Sequence, residues 1–452
     1  MLEICIAAIV IWGISYLVIK NYKPQTVIFF GGMILFACAV ILGKPIIDAK
    51  QSMGNTWFDI FKVVENMFST RVAGLGLMIM SVAGFVRYMD HIGASKAFVS
   101  IGVKPLHYVK SPYLVLALGY LIGQLMKMAI TSAAGLGMLL MATMFPILTA
   151  FGVSRAAAAA IIVTSSCIDL GPAAATSNLI AKTAGIDVVT YFVHYQLVIA
   201  IIVMVTVAIL HFFVQKWFDK KENNMTARAE LAATVKDEER SPAIYALLPV
   251  IPLLMIFIFS PIVGSKIKMS LVSAMFFGIF VSLLFEYIRH RDGKKVFKSI
   301  QHFFDGMGGA FASIVTLVVA GETLANGLIA IGAVDIVLNA SKMAGFGADA
   351  MTILLQVVIT GATLVTGSGD ASMFSFVGLA PVIAKQYNMD PVHLLLPMQF
   401  AATLARAVSP ISAVCIAVAG IAAISPVEVA KRTAIPMAGA MIVTTIVTLI
   451  LF

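Results

Sequence analysis

Apolar runs of about 17–25 residues, the length a helix needs to cross the hydrocarbon of a bilayer, limit the fold of this chain more than any other feature. They lie at about 3–19, 25–43, 72–89, 156–184, 190–214, 243–262, 269–288, 307–328, 392–424 and 433–451. Lipid offers no partner to a backbone N–H or C=O, so each run is expected to close its own hydrogen bonds as a helix. Composition agrees: 60% of the 452 residues are hydrophobic and 12% charged, with a mean hydropathy of +1.00. A water-soluble chain of this size has no way to hide so much apolar surface. The expected class is an all-α polytopic membrane protein.

Charge and cysteine usage narrow the function. The net charge of +9 resides mostly in loops between apolar runs, which is the positive-inside bias of a membrane protein and argues against a nucleic-acid partner. Cys5, Cys38, Cys167 and Cys415 all lie in apolar runs, so neither a disulfide framework nor a metal cluster is implied. His194 and His393 sit near span ends without ligand spacing. The first run lacks the basic segment and cleavage site of a signal peptide and reads as a retained span. Segment 55–69 has polar and apolar residues at helical spacing, and is expected to lie along the interface with Trp57 at headgroup level.

Two further apolar stretches carry polar interruptions. One runs from Tyr113, broken only by Gln124 and Lys127, reaches Met128-Ala129-Ile130-Thr131-Ser132-Ala133-Ala134-Gly135-Leu136-Gly137, and resumes from Met138 to Ala150. The other runs from Ala350 to Val365, passes through Thr366-Gly367-Ser368-Gly369-Asp370-Ala371-Ser372, and resumes from Met373 to Ala384. Arms joined by a few small residues predict re-entrant helical hairpins, at about 112–150 and 349–386. Their non-helical tips survive at membrane depth only against protein or a water-filled cavity.

The two halves echo each other. Ile92-Gly93-Ala94 returns as Ile331-Gly332-Ala333, Thr131-Ser132 as Thr366 and Ser368, Pro146 as Pro381, Pro172 as Pro410, and Ala184-Gly185-Ile186 as Ala419-Gly420-Ile421. Six matches in order, at offsets of 235 (146 to 381) to 239 (92 to 331), indicate an internal duplication. The predicted organisation is a first repeat over 1–215, a polar connecting loop over 216–242 and a second repeat over 243–452. Each copy holds five spans and one hairpin that does not cross. An odd number inverts the second copy relative to the first, an arrangement typical of secondary transporters with a midplane site.

The basic residues test this topology. Lys20, Lys23, Lys96, Lys104, Lys110 and Arg155 fall on one side with the connecting loop, Arg289, Arg291, Lys294, Lys295, Lys298, Lys431 and Arg432. The other face holds fewer: Lys44, Lys50, Lys62, Arg71, Lys182, Lys266, Lys268, Lys342 and Lys385. The first side is therefore expected to be cytoplasmic, with both termini outside and the hairpins entering from opposite faces.

Four non-helical patches are expected to meet at the centre: the two tips, Gly171-Pro172-Ala173-Ala174-Ala175-Thr176-Ser177-Asn178, and Ser409-Pro410-Ile411-Ser412. Proline breaks a helix, exposing N–H groups that attract anions at one end and carbonyls that attract cations at the other. The bland alternative is that the prolines only kink. Charged groups at depth are costly and usually functional. Arg406 is a candidate carboxylate clamp, or else a structural partner for a carbonyl or Asp169. Asp370 is a candidate cation ligand or proton carrier, or else a helix cap. Lys127 either fills the place of a coupling cation or snorkels to the cytoplasmic face. Asp169 and Glu322 read as proton relays, counter-ions to Lys127 or Arg406, or packing.

Ser111-Pro112-Tyr113-Leu114, Thr131 through Thr143, Val365-Thr366-Gly367-Ser368-Gly369, Ser409-Pro410-Ile411-Ser412 and Ala417 through Pro426 together resemble the DcuC family of anaerobic four-carbon dicarboxylate carriers. The likeness covers essentially the whole chain. It implies the ion transporter superfamily in the bacterial cytoplasmic (inner) membrane: inverted repeats, paired hairpins, a homodimer, and an elevator-like moving part made of the hairpins and broken helices. The implied cargo is succinate, fumarate, malate or aspartate. Thr131, Ser132, Gly135, Thr366, Gly367, Ser368, Gly369, Arg406, Ser409 and Pro410 match the family's pattern. Lys127, Asp169, Asp370 and the stretch Ala173 to Asn178 depart from it.

The first reading is thus a secondary carrier of a small dicarboxylate, by symport, antiport or efflux. Substrate contacts are expected from Thr131, Ser132, Gly135, Pro172, Thr176, Ser177, Asn178, Thr366, Gly367, Ser368, Gly369, Arg406, Ser409, Pro410 and Ser412. Coupling to sodium or protons is expected from Ser132, Ser368, Asp370, Lys127 and Asp169. A second reading keeps the fold but carries an amino acid or other zwitterion, which the added charges would suit. An enzyme is disfavoured because no nucleophile or metal spacing such as HExxH or GxSxG is present. A channel is disfavoured because no repeated filter motif is visible.

Overall fold

A computed structural model of the chain describes residues 2–20, 22–109, 111–222, 242–343 and 347–451, and all regular structure among them is helical. Lys110 and most of the connecting loop lie outside the described residues. Eight helical stretches among the described residues are long and apolar enough to cross a membrane. The protein is therefore polytopic.

Several predicted spans take a more particular form. The run at 243–262 is a 3₁₀ turn, Ala243–Val250, followed by the α-helix Ile251–Ile258. Pro249 and Pro252 remove two backbone donors there and keep the first turns tight. The segment at 55–69 is not a separate interfacial helix. Thr56–Arg71 continues through a π turn, Val72–Gly76, directly into Leu77–His91. No proline interrupts it, so the chain stays helical through the π turn. Ile60, Val63 and Met67 bury one face, while Trp57, Phe58 and Phe61 stay exposed. A π turn recurs at Phe311–Val315, between Gln301–Ala310 and Thr316–Ala330. Gly93 and Gly332, beyond the corresponding helices, both take φ +75°.

Two close helix pairs frame the interior. Thr316–Ala330 packs on Pro24–Ile41, and Gln301–Ala310 on Leu77–His91. In the second pair a Cβ on Gly84 would meet the Phe303 carbonyl oxygen at 2.6 Å, and one on Gly306 would meet the Gly84 Cα at 2.7 Å. The helices cross backbone to backbone, as small residues allow in lipid.

Against this frame lie the hairpins and the interrupted helices. The long helices Leu197–Glu222 and Pro426–Leu451 pack side by side. They are tied by Arg432 Nη1 to Asp219 Oδ1 at 2.6 Å, a pair essentially closed to solvent. Asp219 also accepts from the Ser154 hydroxyl at 2.6 Å. Arg432 is thus a residue of the helix Pro426–Leu451 and not a loop charge. It is a buried strut, because Asp219 one helix away neutralises it.

Candidate functional site

The first hairpin consists of Pro112–Met126, a tip at 127–132, and Ala133–Thr143. The second consists of Ala348–Thr366, a tip at 367–368, and Gly369–Phe376. Both tips are shorter than expected, because a serine restarts the helix at once. Ser132 Oγ accepts from the Gly135 N–H and Ser368 Oγ from the Ala371 N–H, each at 3.1 Å. Ser368, and not Asp370, is therefore the cap of the second return helix. Gly367 makes the reversal with φ +70°, and a Cβ there would lie 2.8 Å from the Ile411 carbonyl oxygen.

Both long crossings are broken in two. Arg155–Thr164 and Ala175–Ala184 flank an unwound stretch at 165–174, and Val392–Val408 and Ala413–Ala422 flank one at 409–412. The first break starts earlier than the sequence suggested. The hydroxyls of Ser165 and Ser166 turn back onto the Ile161 and Val163 carbonyls at 2.9 and 3.0 Å, and Gly171 takes φ +99°. Thr176, Ser177 and Asn178 consequently sit in the first turn of Ala175–Ala184, beyond the unwound stretch.

The starts of all four half-helices converge on one cavity of roughly 670 Å³, lined by Thr131–Ala134, Gly367–Asp370, Ala173–Ala175, Ala413 and Val414. Each presents unsatisfied N–H groups and the positive end of its dipole. Arg87 and Asp90 of Leu77–His91 and Ser313 of the π turn Phe311–Val315 also line it.

A charged quartet completes the cavity. Asp169 Oδ1 accepts from Arg406 Nη2 at 3.0 Å and lies 3.1 Å from Lys127 Nζ. Its Oδ2 accepts from the Thr176 hydroxyl at 3.4 Å. Arg406 Nη2 also donates to the Ser166 carbonyl at 2.8 Å, while Nη1 reaches toward Asp370 Oδ1 at 3.9 Å. Lys127 Nζ donates to the Thr131 carbonyl. Side-chain exposure is 2% for Lys127, 7% for Asp169, 11% for Arg406 and 34% for Asp370. Asp370 is therefore the member that the cavity reaches most freely. The four formal charges cancel.

Two expectations are revised, and the alternatives for Arg406 are narrowed. Lys127 does not snorkel outward; Asp169 and a tip carbonyl hold it inside. Glu322 is counter-ion to neither Lys127 nor Arg406. It is gripped by Arg71 through Nε at 2.6 Å and Nη2 at 2.8 Å, in a separate cavity of roughly 460 Å³ beside Asn66 and Asn326. Arg406 takes both partners that its structural alternative named, a carbonyl (Ser166) and Asp169, through one nitrogen.

Of the predicted site residues, Lys127, Thr131, Ser132, Asp169, Gly367, Ser368, Gly369, Asp370 and Arg406 line the cavity. Gly135, Pro172, Thr176, Ser177, Asn178, Thr366, Ser409, Pro410 and Ser412 stand behind it and shape the breaks. Asn178 Nδ2 donates to the Pro172 and Ala174 carbonyls at 2.7 and 2.8 Å. The Thr366 hydroxyl accepts from the Ser368 N–H at 3.2 Å. Ser409 Oγ donates to the Leu364 carbonyl at 3.0 Å, joining the second break to the second hairpin.

Three buried glutamines escaped the sequence reading. Gln124 Nε2 donates to the Ile168 carbonyl at 2.7 Å and Gln196 Nε2 to that of Asp169 at 2.8 Å. Gln399 Nε2 donates to the Thr176 and Ser177 hydroxyls at 2.9 and 3.1 Å. Their signal was available: an amide inside an apolar span has to be satisfied by something buried. For Gln124 and Gln196 unwound backbone satisfies it, and for Gln399 the hydroxyls at the start of Ala175–Ala184.

Comparisons with known proteins identify the family and the fold. The family described as "DcuC: C4-dicarboxylate anaerobic carrier" matches residues 2–452. The chain is 36% identical to the probable anaerobic C4-dicarboxylate transporter DcuC of Vibrio cholerae over 453 residues, covering 100% of this chain and 98% of the relative. It is 35% identical to the anaerobic C4-dicarboxylate transporter DcuC of Escherichia coli K12, covering 99% and 96%. Among solved structures, the Alcanivorax borkumensis YdaH transporter superposes with a TM-score of 0.64 at 14% identity, over 94% of this chain and 98% of that one. Neisseria gonorrhoeae MtrF superposes with 0.61 at 12% identity, over 95% of each. At such identities these two share the fold alone. With family and relatives matched from end to end, the chain belongs to the DcuC family and is a transporter, not an enzyme.

Proposed function

We propose that the protein is a secondary carrier of four-carbon dicarboxylates such as succinate, fumarate, malate and aspartate, bound in the cavity between the two tips. One observation carries this reading: four half-helix N-termini and the Arg406 guanidinium face one cavity. Such termini are ready-made anion sites, and two carboxylates a few ångströms apart need a donor set at each end.

The charge count bears on coupling. A quartet that sums to zero becomes doubly negative once a dianion enters, a costly state at low dielectric. Uptake of a proton by Asp370, or entry of a sodium ion with the substrate, offsets that cost. The same neutrality favours a second reading, in which the cargo is an amino acid or another zwitterion coupled to protons or sodium.

The mechanism follows from the proposed architecture. Residues 1–215 and 243–452 form two inverted repeats joined by a cytoplasmic loop. The hairpins do not cross, both termini lie outside, and hairpins and broken helices move together past the framing helices as an elevator within a homodimer in the bacterial inner membrane. The shared π turns, the capping serines at 132 and 368, and the two broken crossings support the duplication. Counterflow of labelled succinate in proteoliposomes tests the function, with unlabelled dicarboxylates and amino acids as competitors and with sodium and pH varied. Saturable counterflow blocked by fumarate supports the dicarboxylate reading. Block by neutral amino acids alone favours the second reading, and flux linear to high concentration rejects a carrier.

A further inference from the structure

We propose that Lys127 is a tethered cation: its ammonium occupies, at the first tip, the place a soluble monovalent cation would otherwise take, so this half of the site binds no ion from solution. The inference deepens the transport reading and rests on it for its flux measurement only.

Three observations carry it. Lys127 is the C-cap of Pro112–Met126, and its Nζ folds back to the Thr131 carbonyl instead of leaving for the membrane surface. Among the described residues no backbone amide donates to that carbonyl. Asp169 Oδ1 lies 3.1 Å away, and the lysine side chain is 2% exposed. An unwound-helix carbonyl together with a carboxylate is the oxygen set that holds a monovalent cation where a transmembrane helix breaks. An ammonium is a compact point charge that fits the same set.

A plain counter-ion for Asp169 would not need this reach, because Arg406 already pairs with that carboxylate at 3.0 Å. The second half is built differently. The offset that relates the capping serines (132 to 368) carries position 127 to 363, where Thr363 stands with a buried hydroxyl lacking a hydrogen-bond partner. The first hairpin therefore carries its own ammonium beside its tip, while the second, whose tip is 367–368, has a neutral residue at the related position inside Ala348–Thr366. Any soluble cation that accompanies the substrate belongs with the second tip.

The test is to remove the tether and supply the cation. Melting temperature is read on the purified full-length protein in sodium, methylammonium or choline chloride at constant ionic strength. The comparison covers wild type, Lys127→Ala, Lys127→Arg and Lys127→Ala combined with Asp169→Asn. Lys127→Ser, which puts a hydroxyl in place of the ammonium, serves if alanine does not fold. We expect sodium or methylammonium to raise the melting temperature of Lys127→Ala saturably, by a few degrees beyond any effect on wild type. Lys127→Arg, which keeps a positive charge at the position, should show no cation-dependent gain, and the double variant should lose the gain. In proteoliposomes, succinate counterflow by Lys127→Ala should be near zero in choline and recover about tenfold with the same cation. A folded Lys127→Ala or Lys127→Ser without cation-dependent stabilisation overturns the proposal, as does counterflow indifferent to the cation. Absence of counterflow in wild type would sink the transport reading and leave the melting comparison intact.

Discussion

At the scale of single residues, the site is a problem in buried charge. Arg406 stands between two aspartates, one that it holds at 3.0 Å and one at 3.9 Å. Its second nitrogen remains for a substrate carboxylate. Arg406→Ala is expected to reduce succinate uptake at least about 100-fold, since it removes a charged donor and leaves Asp169 with only Lys127, at a cost of about 3–5 kcal/mol for a broken buried pair. Uptake by reconstituted protein, with a melting curve on the same sample, checks this; normal uptake would refute the role. Asp370 gives a prediction with a sign. If it takes up a proton as the dianion binds, wild-type uptake at fixed dianion concentration rises as pH falls. Asp370→Asn, neutral throughout, should flatten that profile. A slope unchanged in the variant removes Asp370 from the coupling scheme.

At the scale of elements, the breaks matter more than the helices. Gly367→Ala would force a side chain into the left-handed region and against the Ile411 carbonyl. The backbone strain alone costs about 1–2 kcal/mol, and the contact adds to it. We expect a lower melting temperature and loss of uptake, measured side by side; wild-type values in both would mean that the second tip does not need this turn. The tips and the second break were legible in the sequence, because Thr-Ser, Thr-Gly-Ser-Gly and Ser-Pro are turn and cap chemistry inside apolar runs. The extent of the first break was not. Ser165 and Ser166 back-bond to their own helix, and a hydroxyl's choice between that and solvating a gap depends on what packs beside it. The pairing of Lys127 with Asp169 was only one of several options in sequence, since they lie on different elements and nothing local brings them together. The glutamines were passed over for the opposite reason: each looks like a single polar slip in a span, and its partners are backbone or hydroxyl groups of a broken helix.

At the scale of the whole molecule, the frame and the site-bearing elements divide the work. The glycine crossing of Gly84 and Gly306 brings Leu77–His91 close to Gln301–Ala310 beside the cavity. The Arg432–Asp219 strut locks two long helices far along the chain from one another. Arg432→Met should therefore lower the melting temperature markedly through the unpaired Asp219, while the protein that remains folded keeps its apparent affinity for succinate; a shifted affinity with unchanged stability would contradict that division. The central claim is that the substrate lies between the two tips, under the four half-helix starts. Substrate protection tests it most directly. With Cys5, Cys38, Cys167 and Cys415 replaced, Ser132→Cys and Ser368→Cys are each labelled with a membrane-impermeant thiol reagent, with and without saturating succinate. Both positions should be protected by succinate, and a control cysteine at Asn66 in the separate cavity should not. Unaltered labelling of both tips in a protein that still transports succinate would contradict the account.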